Sequence, residues 1–407
     1  MFPGAQGLRA EVPGAVEVPR GFFGSARVVW GRTAARGAAR VSLGRRYDEP
    51  MTFQYRLRPA VRDAAAYVPG KPAAPIEGMT AYKLSANEHH MEPLPQVREA
   101  IAKASENPNI YPDPGVFELT EAMADFLGVA PENVVFGAGG SEILSAAFAI
   151  TAGPGANIVY PWPSFEMYRQ VGVMSGAENR QIPLTAHGRH DFDALLDAID
   201  DDTTLVVLCS PNNPTGPAIR EAEFRSFMDR VPSDLLVVLD QAYLEFITSE
   251  DAVDAVAALA DYPNLIIMRT FSKAHGLAGL RVGYGIAHPD VILEMRKSIA
   301  PFSVQSIGQA AALASLRASA EVDVRAKEVA AARDKLTEEL RALGIDVPTS
   351  DANYVWLPLG DRSAEFEKVC MANGLAVRNL HTGIRVSIGP DEAMERFIAV
   401  TREFLGK

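Results

Sequence analysis

A chain of 407 residues, nearly half of them apolar, can bury a sizeable core, and its length predicts two domains. The formal net charge of -12 excludes nucleic acid and anionic membranes as partners, since both demand clustered Lys and Arg. There is no membrane-length apolar run and no signal-peptide pattern, and Cys209 and Cys370 lie far apart without metal-ligand spacing; we expect a soluble, cytoplasmic protein with unpaired thiols and no metal.

Residues 1–50 are rich in Gly, Ala, Val and Arg and contain no Lys. Such an Arg-rich, acid-poor leader fits an organellar targeting peptide or a non-native upstream extension; we favour the second, with Met51 the natural start. Residues 51–95 read as an extended arm, dense in Pro and containing Tyr67-Val-Pro-Gly-Lys71 and Leu84-Ser-Ala-Asn-Glu88. An amphipathic helix is expected from Pro95 to Ser105, a turn at Tyr111-Pro-Asp-Pro-Gly115, and a second helix from Phe117 to Leu127. A strand, Asn133 to Phe136, then leads through Gly137-Ala-Gly-Gly-Ser-Glu142 into an apolar-periodic helix, Ile143 to Thr151. Backbone amides at Gly139, Gly140 and Ser141 would cradle a phosphate there, because glycine permits close approach and the helix dipole favours an anion.

Four further strands are expected at Ala156 to Tyr160, Thr204 to Cys209, Asp234 to Leu239 and Leu265 to Met268, with helices such as Phe192 to Ile199 and Glu221 to Val231 between them. This alternation predicts an α/β fold with a mainly parallel sheet flanked by helices. The carboxyl ends of parallel strands share one edge, so Phe165, Asn213, Asp240, Tyr243 and Lys273 would converge although distant in sequence. Beyond Ile292 the texture changes to long helices, Val291 to Ser298, Ser306 to Arg317 and Ala320 to Leu343. A strand from Asn353 to Leu357, a helix from Ala364 to Asn373, strands Leu375 to Arg378 and Ile384 to Ile388, and a closing helix, Glu392 to Leu405, complete a smaller α+β domain. We therefore divide the chain into residues 96–297 as the large domain, with 96–110 able to pack against the other, and 298–407 as the small one.

The residues at that shared edge suit pyridoxal 5'-phosphate. Lys273 offers an amine for a Schiff base and can then move a proton as general base and acid. Asp240 would keep the pyridine nitrogen protonated, Tyr243 and Asn213 would donate to the ring oxygen, and Phe165 would stack on the ring. Ser272 and Arg281 would join the glycine loop around the phosphate.

Ser210-Pro-Asn-Asn-Pro-Thr-Gly216, Asp240-Gln-Ala-Tyr243 and Ser272-Lys-Ala-His-Gly-Leu-Ala-Gly-Leu-Arg-Val-Gly283 resemble the signature segments of fold-type I, class II aminotransferases, and within them the histidinol-phosphate aminotransferase family with its aromatic amino acid branch. The resemblance spans Met51 to Lys407. It implies a homodimer with each active site at the subunit interface, where Tyr111 would reach the phosphate of the partner's site. It further implies that Arg385 holds the substrate's carboxylate, or the phosphate of histidinol phosphate, with Arg378, Tyr67 and Asn213 also on the substrate side. The segments at Tyr67–Lys71, Arg269–Lys273 and Val355–Leu359 look more like the aromatic branch, so the expected reaction moves an amino group from an aromatic L-amino acid to 2-oxoglutarate. Histidinol phosphate is the alternative donor; a cysteine-sulfur lyase or a non-catalytic regulator on the same scaffold are further readings. The chain departs from the pattern at His89-His-Met-Glu-Pro93, Gln241 and His275; the paired histidines read as a surface loop rather than a metal site.

Overall fold

The computed structural model describes residues 57–64 and 76–407. The expectations placed on residues 1–50 and on Tyr67 lie outside the described residues. In chain order the described strands are β1 (Tyr82–Lys83), β2 (Val134–Gly137), β3 (Asn157–Trp162), β4 (Glu178–Pro183), β5 (Thr203–Cys209), β6 (Leu236–Asp240), β7 (Leu265–Thr270), β8 (Gly283–Ala287), β9 (Tyr354–Leu357), β10 (Leu375–Ala376), β11 (Arg378–Asn379) and β12 (Ile384–Ser387). Seven of them form one sheet in the order β2-β8-β7-β6-β5-β3-β4. Its pairs are parallel except where β8 runs against both β2 and β7.

The central strands carry continuous apolar runs, Leu205 to Cys209, Leu236 to Leu239 and Leu265 to Met268, because both faces of the sheet are covered. Side chains alternate between them: Val206, Leu208, Val237, Leu239, Leu265 and Ile267 join one apolar cluster. Leu205, Val207, Cys209, Val238, Ile266 and Met268 join the other. Both cysteines are free and buried, as expected.

The α/β architecture is the expected one; among the elements it adds are two strands and a helix that bear on the site. β4, Glu-Asn-Arg-Gln-Ile-Pro, is a polar edge strand without the apolar run that marks its neighbours. β8 carries Gly283 and Gly285, which weaken its strand signal in sequence and are required by packing. A Cβ at Gly283 would lie 2.2 Å from the backbone nitrogen of Gly140, so this strand can approach the glycine loop only without a side chain. The helix Glu166–Ser175 is interrupted in sequence by Gly172, where a Cβ would meet Asn179 Oδ1 at 2.3 Å and Ile158 Cδ1 at 2.5 Å. Glycine here lets the helix lie close on the sheet.

The smaller region holds the antiparallel sheet β11-β12-β9 and the helices Ser319–Ala342, Ser363–Ala372 and Asp391–Phe404. Helix Pro95–Ala104 packs against Ser306–Arg317. Arg333, buried in the long helix, donates through Nη1 to the carbonyls of Phe246 at 3.0 Å and Ala352 at 3.2 Å, tying that helix to the loop beyond β6. The arm is stitched into this region by its backbone: β1 pairs with β10, Leu84 N donates to Ala376 O, and Ser387 N donates to Leu84 O. Ser85 to Glu88 are thereby carried across the ends of the large sheet. No described helix is long and apolar enough to cross a membrane.

Replacing Gly283 by Ala forces backbone apart and should cost about 1–3 kcal/mol, the usual range for overpacking, while Gly279→Ala, with open space around its Cβ position, should be neutral. Thermal unfolding of the two variants side by side checks this; equal midpoints would contradict the packing argument.

Candidate active site

The register of the parallel strands sets the floor of the site. Cys209 on β5 stands opposite Asp240 on β6, and Asp240 opposite Met268 on β7, so β5 and β6 finish at one level and β7 runs two residues further, to Thr270. Above them open two adjoining cavities of about 320 and 280 Å³, which share Ala86, Phe165, Asn213, Tyr243 and Lys273 as walls.

Asp240 is buried at the bottom of the larger cavity. The Tyr168 hydroxyl donates to its Oδ2 at 2.5 Å and the Ala242 amide to its Oδ1 at 3.0 Å. Burial raises its pKa to about 6, against these hydrogen bonds and the nearby Lys273, which favour the anion. An acceptor held this way in a desolvated pocket suits a cationic or proton-bearing ring atom.

Lys273 follows directly from β7. Its Nζ donates to the Ala86 carbonyl at 3.2 Å and stands 5.6 Å from the centre of the Tyr243 ring. Burial first, then the guanidinium groups of Arg385 and Arg281, pull its pKa down to about 7, with Glu88 and Asp240 opposing. The amine is thus substantially unprotonated near neutrality and able to attack a carbonyl.

Beside it lies a pocket of donors. The amides of Gly140 and Ser141 open the helix Gly140–Thr151 and so have no acceptor within it. Arg281, itself at a φ of +53°, brings its guanidinium to 3.3 Å from Ser141 Oγ and 3.5 Å from Ser272 Oγ. A Cβ at Gly139, whose φ is +80°, would fall 2.2 Å from Arg281 Nη2, so only glycine leaves that space to the guanidinium. Glu142 pins the loop from behind by accepting from the Ala138 amide at 2.6 Å. Two amides, two hydroxyls and a guanidinium converging in one wall fit a phosphate.

The smaller cavity is walled by the antiparallel sheet. Arg378 on β11 is the register partner of Arg385 on β12, so the two side chains share a face. Arg385 is buried, donating to Asn213 Oδ1 at 2.5 Å and to the Ser85 carbonyl at 2.6 Å, with its Nε left without a partner. Arg378 donates to Glu166 Oε2 at 2.5 Å. The Asn87 side chain, at a φ of +53°, donates to the Tyr243 hydroxyl at 2.9 Å and accepts from Ser387 Oγ at 3.0 Å, fixing the arm over the site.

Of the residues expected from sequence, Gly140, Ser141, Phe165, Asn213, Asp240, Tyr243, Ser272, Lys273, Arg281, Arg378 and Arg385 line these two cavities. Gly139 acts behind the wall. Tyr111 is not brought there within this chain; it is exposed and stacked on Phe302 at 4.6 Å. His275 points instead toward Ser315 Oγ at 2.8 Å, and Gln241 Oε1 accepts from Arg269 Nε at 3.0 Å and Nη2 at 2.9 Å. His90 is exposed but His89 turns inward, and no metal-binding group of side chains exists among the described residues. Tyr168, Glu166 and Asn87 join the site without a role expected from sequence. The first two sit on the glycine-interrupted helix; for them the available signal is position, one and three residues beyond Phe165. Asn87 carried a signal in its conformation, since Asn is among the few residues that tolerate positive φ.

The chain matches the family described as aminotransferase class I and II over residues 80–400. It belongs to that family. Aminotransferases of this family use pyridoxal 5'-phosphate, the cofactor expected from the sequence and one whose phosphate the donor pocket fits. The chain is similar to proteins named aromatic amino acid aminotransferase from Streptomyces coelicolor, 45% identical over 86% of this chain and 97% of that one. A protein of that name from Mycobacteroides abscessus is 42% identical over 85% of this chain and 98% of that one. Among solved structures, histidinol-phosphate aminotransferase from Sinorhizobium meliloti, crystallised with pyridoxal 5'-phosphate, superposes with a TM-score of 0.78 at 27% identity, over 88% of this chain and 99% of that one.

Because the Lys273 pKa is about 7, the cofactor-free aminotransferase should be arylated by trinitrobenzenesulfonate at Lys273 with a rate that rises through pH 7. Exposed lysines should respond nearer pH 10, their ordinary range. Peptide mass mapping across pH reads this out; a Lys273 profile matching the surface lysines would contradict the desolvation.

Proposed function

We propose that this aminotransferase moves the amino group of an aromatic L-amino acid to 2-oxoglutarate, with pyridoxal 5'-phosphate as cofactor and as a homodimer. The observation that carries the substrate choice is the identity, 42–45% over nearly the whole length of several relatives, to proteins named for aromatic amino acids. The two-arginine wall accommodates the carboxylate that amino acid and oxo acid share. Exposed Ile110 and the exposed Tyr111–Phe302 stack support an interface with a second copy.

When bound, the cofactor supplies an electron-withdrawing ring that eases bond breaking at the substrate's α-carbon. Gly140, Ser141, Ser272 and Arg281 would hold its phosphate, and Phe165 would cover its ring. Asp240 would hold a proton on the ring nitrogen; Tyr168 and the Ala242 amide keep that carboxylate oriented and favour its charged form. The Tyr243 hydroxyl already accepts from Asn87, so its own hydrogen remains to be donated to the ring oxygen. Asn213 accepts from Arg385 through Oδ1, leaving its amide hydrogens to do the same. Lys273 would take the proton from the substrate α-carbon and deliver it to the cofactor's C4′ carbon, a task suited to an amine whose pKa lies near the working pH. Arg385 would grip the carboxylate. Its orphaned Nε and neutral present partners leave its charge available to an anion.

A panel of single half-reactions with phenylalanine, tyrosine, aspartate and histidinol phosphate tests the proposal. Phenylalanine and tyrosine should react with the highest kcat/KM; a preference for histidinol phosphate would assign the chain to histidine biosynthesis instead. Lys273→Ala should retain cofactor noncovalently and lose turnover. Arg385→Ala should raise KM for amino acid and oxo acid alike by about 10- to 100-fold, because charge-assisted hydrogen bonds are worth about 1.5–3 kcal/mol. Unequal effects on the two substrates would contradict a shared carboxylate site.

A further inference from the structure

Arg385 is held by neutral groups, and one of these, Tyr354, lines neither cavity. Nη1 of the arginine donates to Asn213 Oδ1 and Nη2 to the Ser85 carbonyl, while its Cζ lies 5.5 Å from the centre of the Tyr354 ring. The pleat explains the last contact. Arg385 on β12 stands opposite Trp356 on β9, and Tyr354, two residues before Trp356, shares its face, so the ring lies diagonally across from the guanidinium and within its reach. Tyr354 is fully buried, and that burial above all keeps its phenol protonated. The hydroxyl donates to the Asn212 carbonyl at 2.8 Å. The same carbonyl accepts from the Gly216 amide at 2.8 Å, and the Asn212 side chain accepts from Ser164 Oγ at 2.8 Å, so the turn that receives the hydroxyl is itself fixed. Asp351, three residues before Tyr354, knits the two segments together. Its amide donates to the Gly216 carbonyl and its Oδ2 accepts from the Ala218 amide, each at 2.9 Å.

We propose that Tyr354 is a positioning residue for the substrate's carboxylate: anchored by its hydroxyl to the turn that carries Asn213, it backs the flat face of Arg385 so that the guanidinium offers its edge to the anion. The inference rests on the reading of Arg385 as the carboxylate-binding group and adds what aims it. A guanidinium donates in its own plane, and a carboxylate is matched only by donors lying in that plane. Asn213 and the Ser85 carbonyl fix two of its nitrogens but leave it free to tilt about the line between them. A ring against the face removes that freedom. An acidic residue in the same place would neutralise the cation, whereas the π-face attracts it and leaves its charge to the ligand. The Tyr243 ring, nearly perpendicular at 5.1 Å, packs against Tyr354 in turn. The other charged groups of the small cavity, Lys273, Arg378 and Glu166 among them, stay in place when Tyr354 is changed. A comparison between Tyr354 variants therefore isolates the part played by Arg385.

The test uses the holoenzyme and two unreactive ligands of one shape, 3-phenylpropionate and its neutral amide, with Kd measured by titration calorimetry. Wild type should bind the acid more tightly than the amide. In Tyr354→Leu the Kd of the acid should rise by about tenfold, in keeping with the loss of a desolvated cation–π contact, while that of the amide changes by less than about twofold. Tyr354→Phe keeps the ring and gives up one neutral hydrogen bond, so its Kd for the acid should stay within about threefold of wild type. Tyr354→Met supplies a second aliphatic variant whose flexible chain can fill the space. In an Arg385→Ala background Tyr354→Leu should weaken the acid by less than about twofold, since the ring then has nothing to aim. Equal losses for acid and amide would overturn the proposal, because Tyr354 would then only shape the cleft. So would a loss in the Arg385→Ala background as large as in wild type. A wild-type enzyme that binds both ligands alike would refute the carboxylate reading of Arg385 and this role with it, whereas a wild-type preference for the acid that survives undiminished in both aliphatic variants would refute the role of Tyr354 alone.

Discussion

The site depends on the lateral pairing of β5, β6 and β7. Because Cys209, Asp240 and Met268 are register partners, β5 and β6 end at one height and β7 runs only two residues further, so the loops carrying Asn213, Tyr243 and Lys273 begin from a common edge. A slip of one residue in β6 would turn Asp240 to the opposite face of the sheet, away from Tyr168 and the cavity. The apolar side chains packed on both faces make such a slip expensive, so core packing and placement of the carboxylate are a single constraint. β8 extends that constraint to the anion pocket, since its glycine at 283 lies against the backbone of Gly139 and Gly140.

Electrostatics explains why so rigid a frame is needed. Lys273, Arg281, Arg378 and Arg385 converge on two small connected spaces, faced there chiefly by Asp240, Glu88 and Glu166. Left to themselves these groups would seek water. The fold instead holds the lysine where burial and neighbouring guanidiniums lower its pKa, and holds Asp240 where burial raises its own, two opposite shifts produced by one desolvated environment. Arg385, buried with an unpartnered Nε, is a stability cost that an anionic ligand would relieve. Such sites are where stability is commonly spent on function.

Much of this was legible from residue pattern because parallel strands read as short apolar runs whose polar successors must share an edge. Lys273, Asp240 and Asn213 are found that way, whereas Arg378 and Arg385 are assigned through the resemblance to the family. Where glycine serves packing, the same reading fails: Gly283 and Gly285 hide β8, and Gly172 hides the helix that delivers Tyr168 and Glu166. These glycines look like breakers in sequence, and only the Cβ positions they leave empty reveal their purpose. Asn87 eluded it for another reason. Its contacts to Tyr243 and Ser387 join segments 156 and 300 residues away, a closure set by the arm's pairing with β10 and β12.

The central claim is that the desolvated amine at the end of β7 is the one that carries the cofactor. Purified holoenzyme reduced with borohydride, digested and mapped by mass spectrometry tests it directly. The account predicts a pyridoxyl phosphate adduct on Lys273 alone. An adduct on another lysine, with Lys273 unmodified, would contradict it.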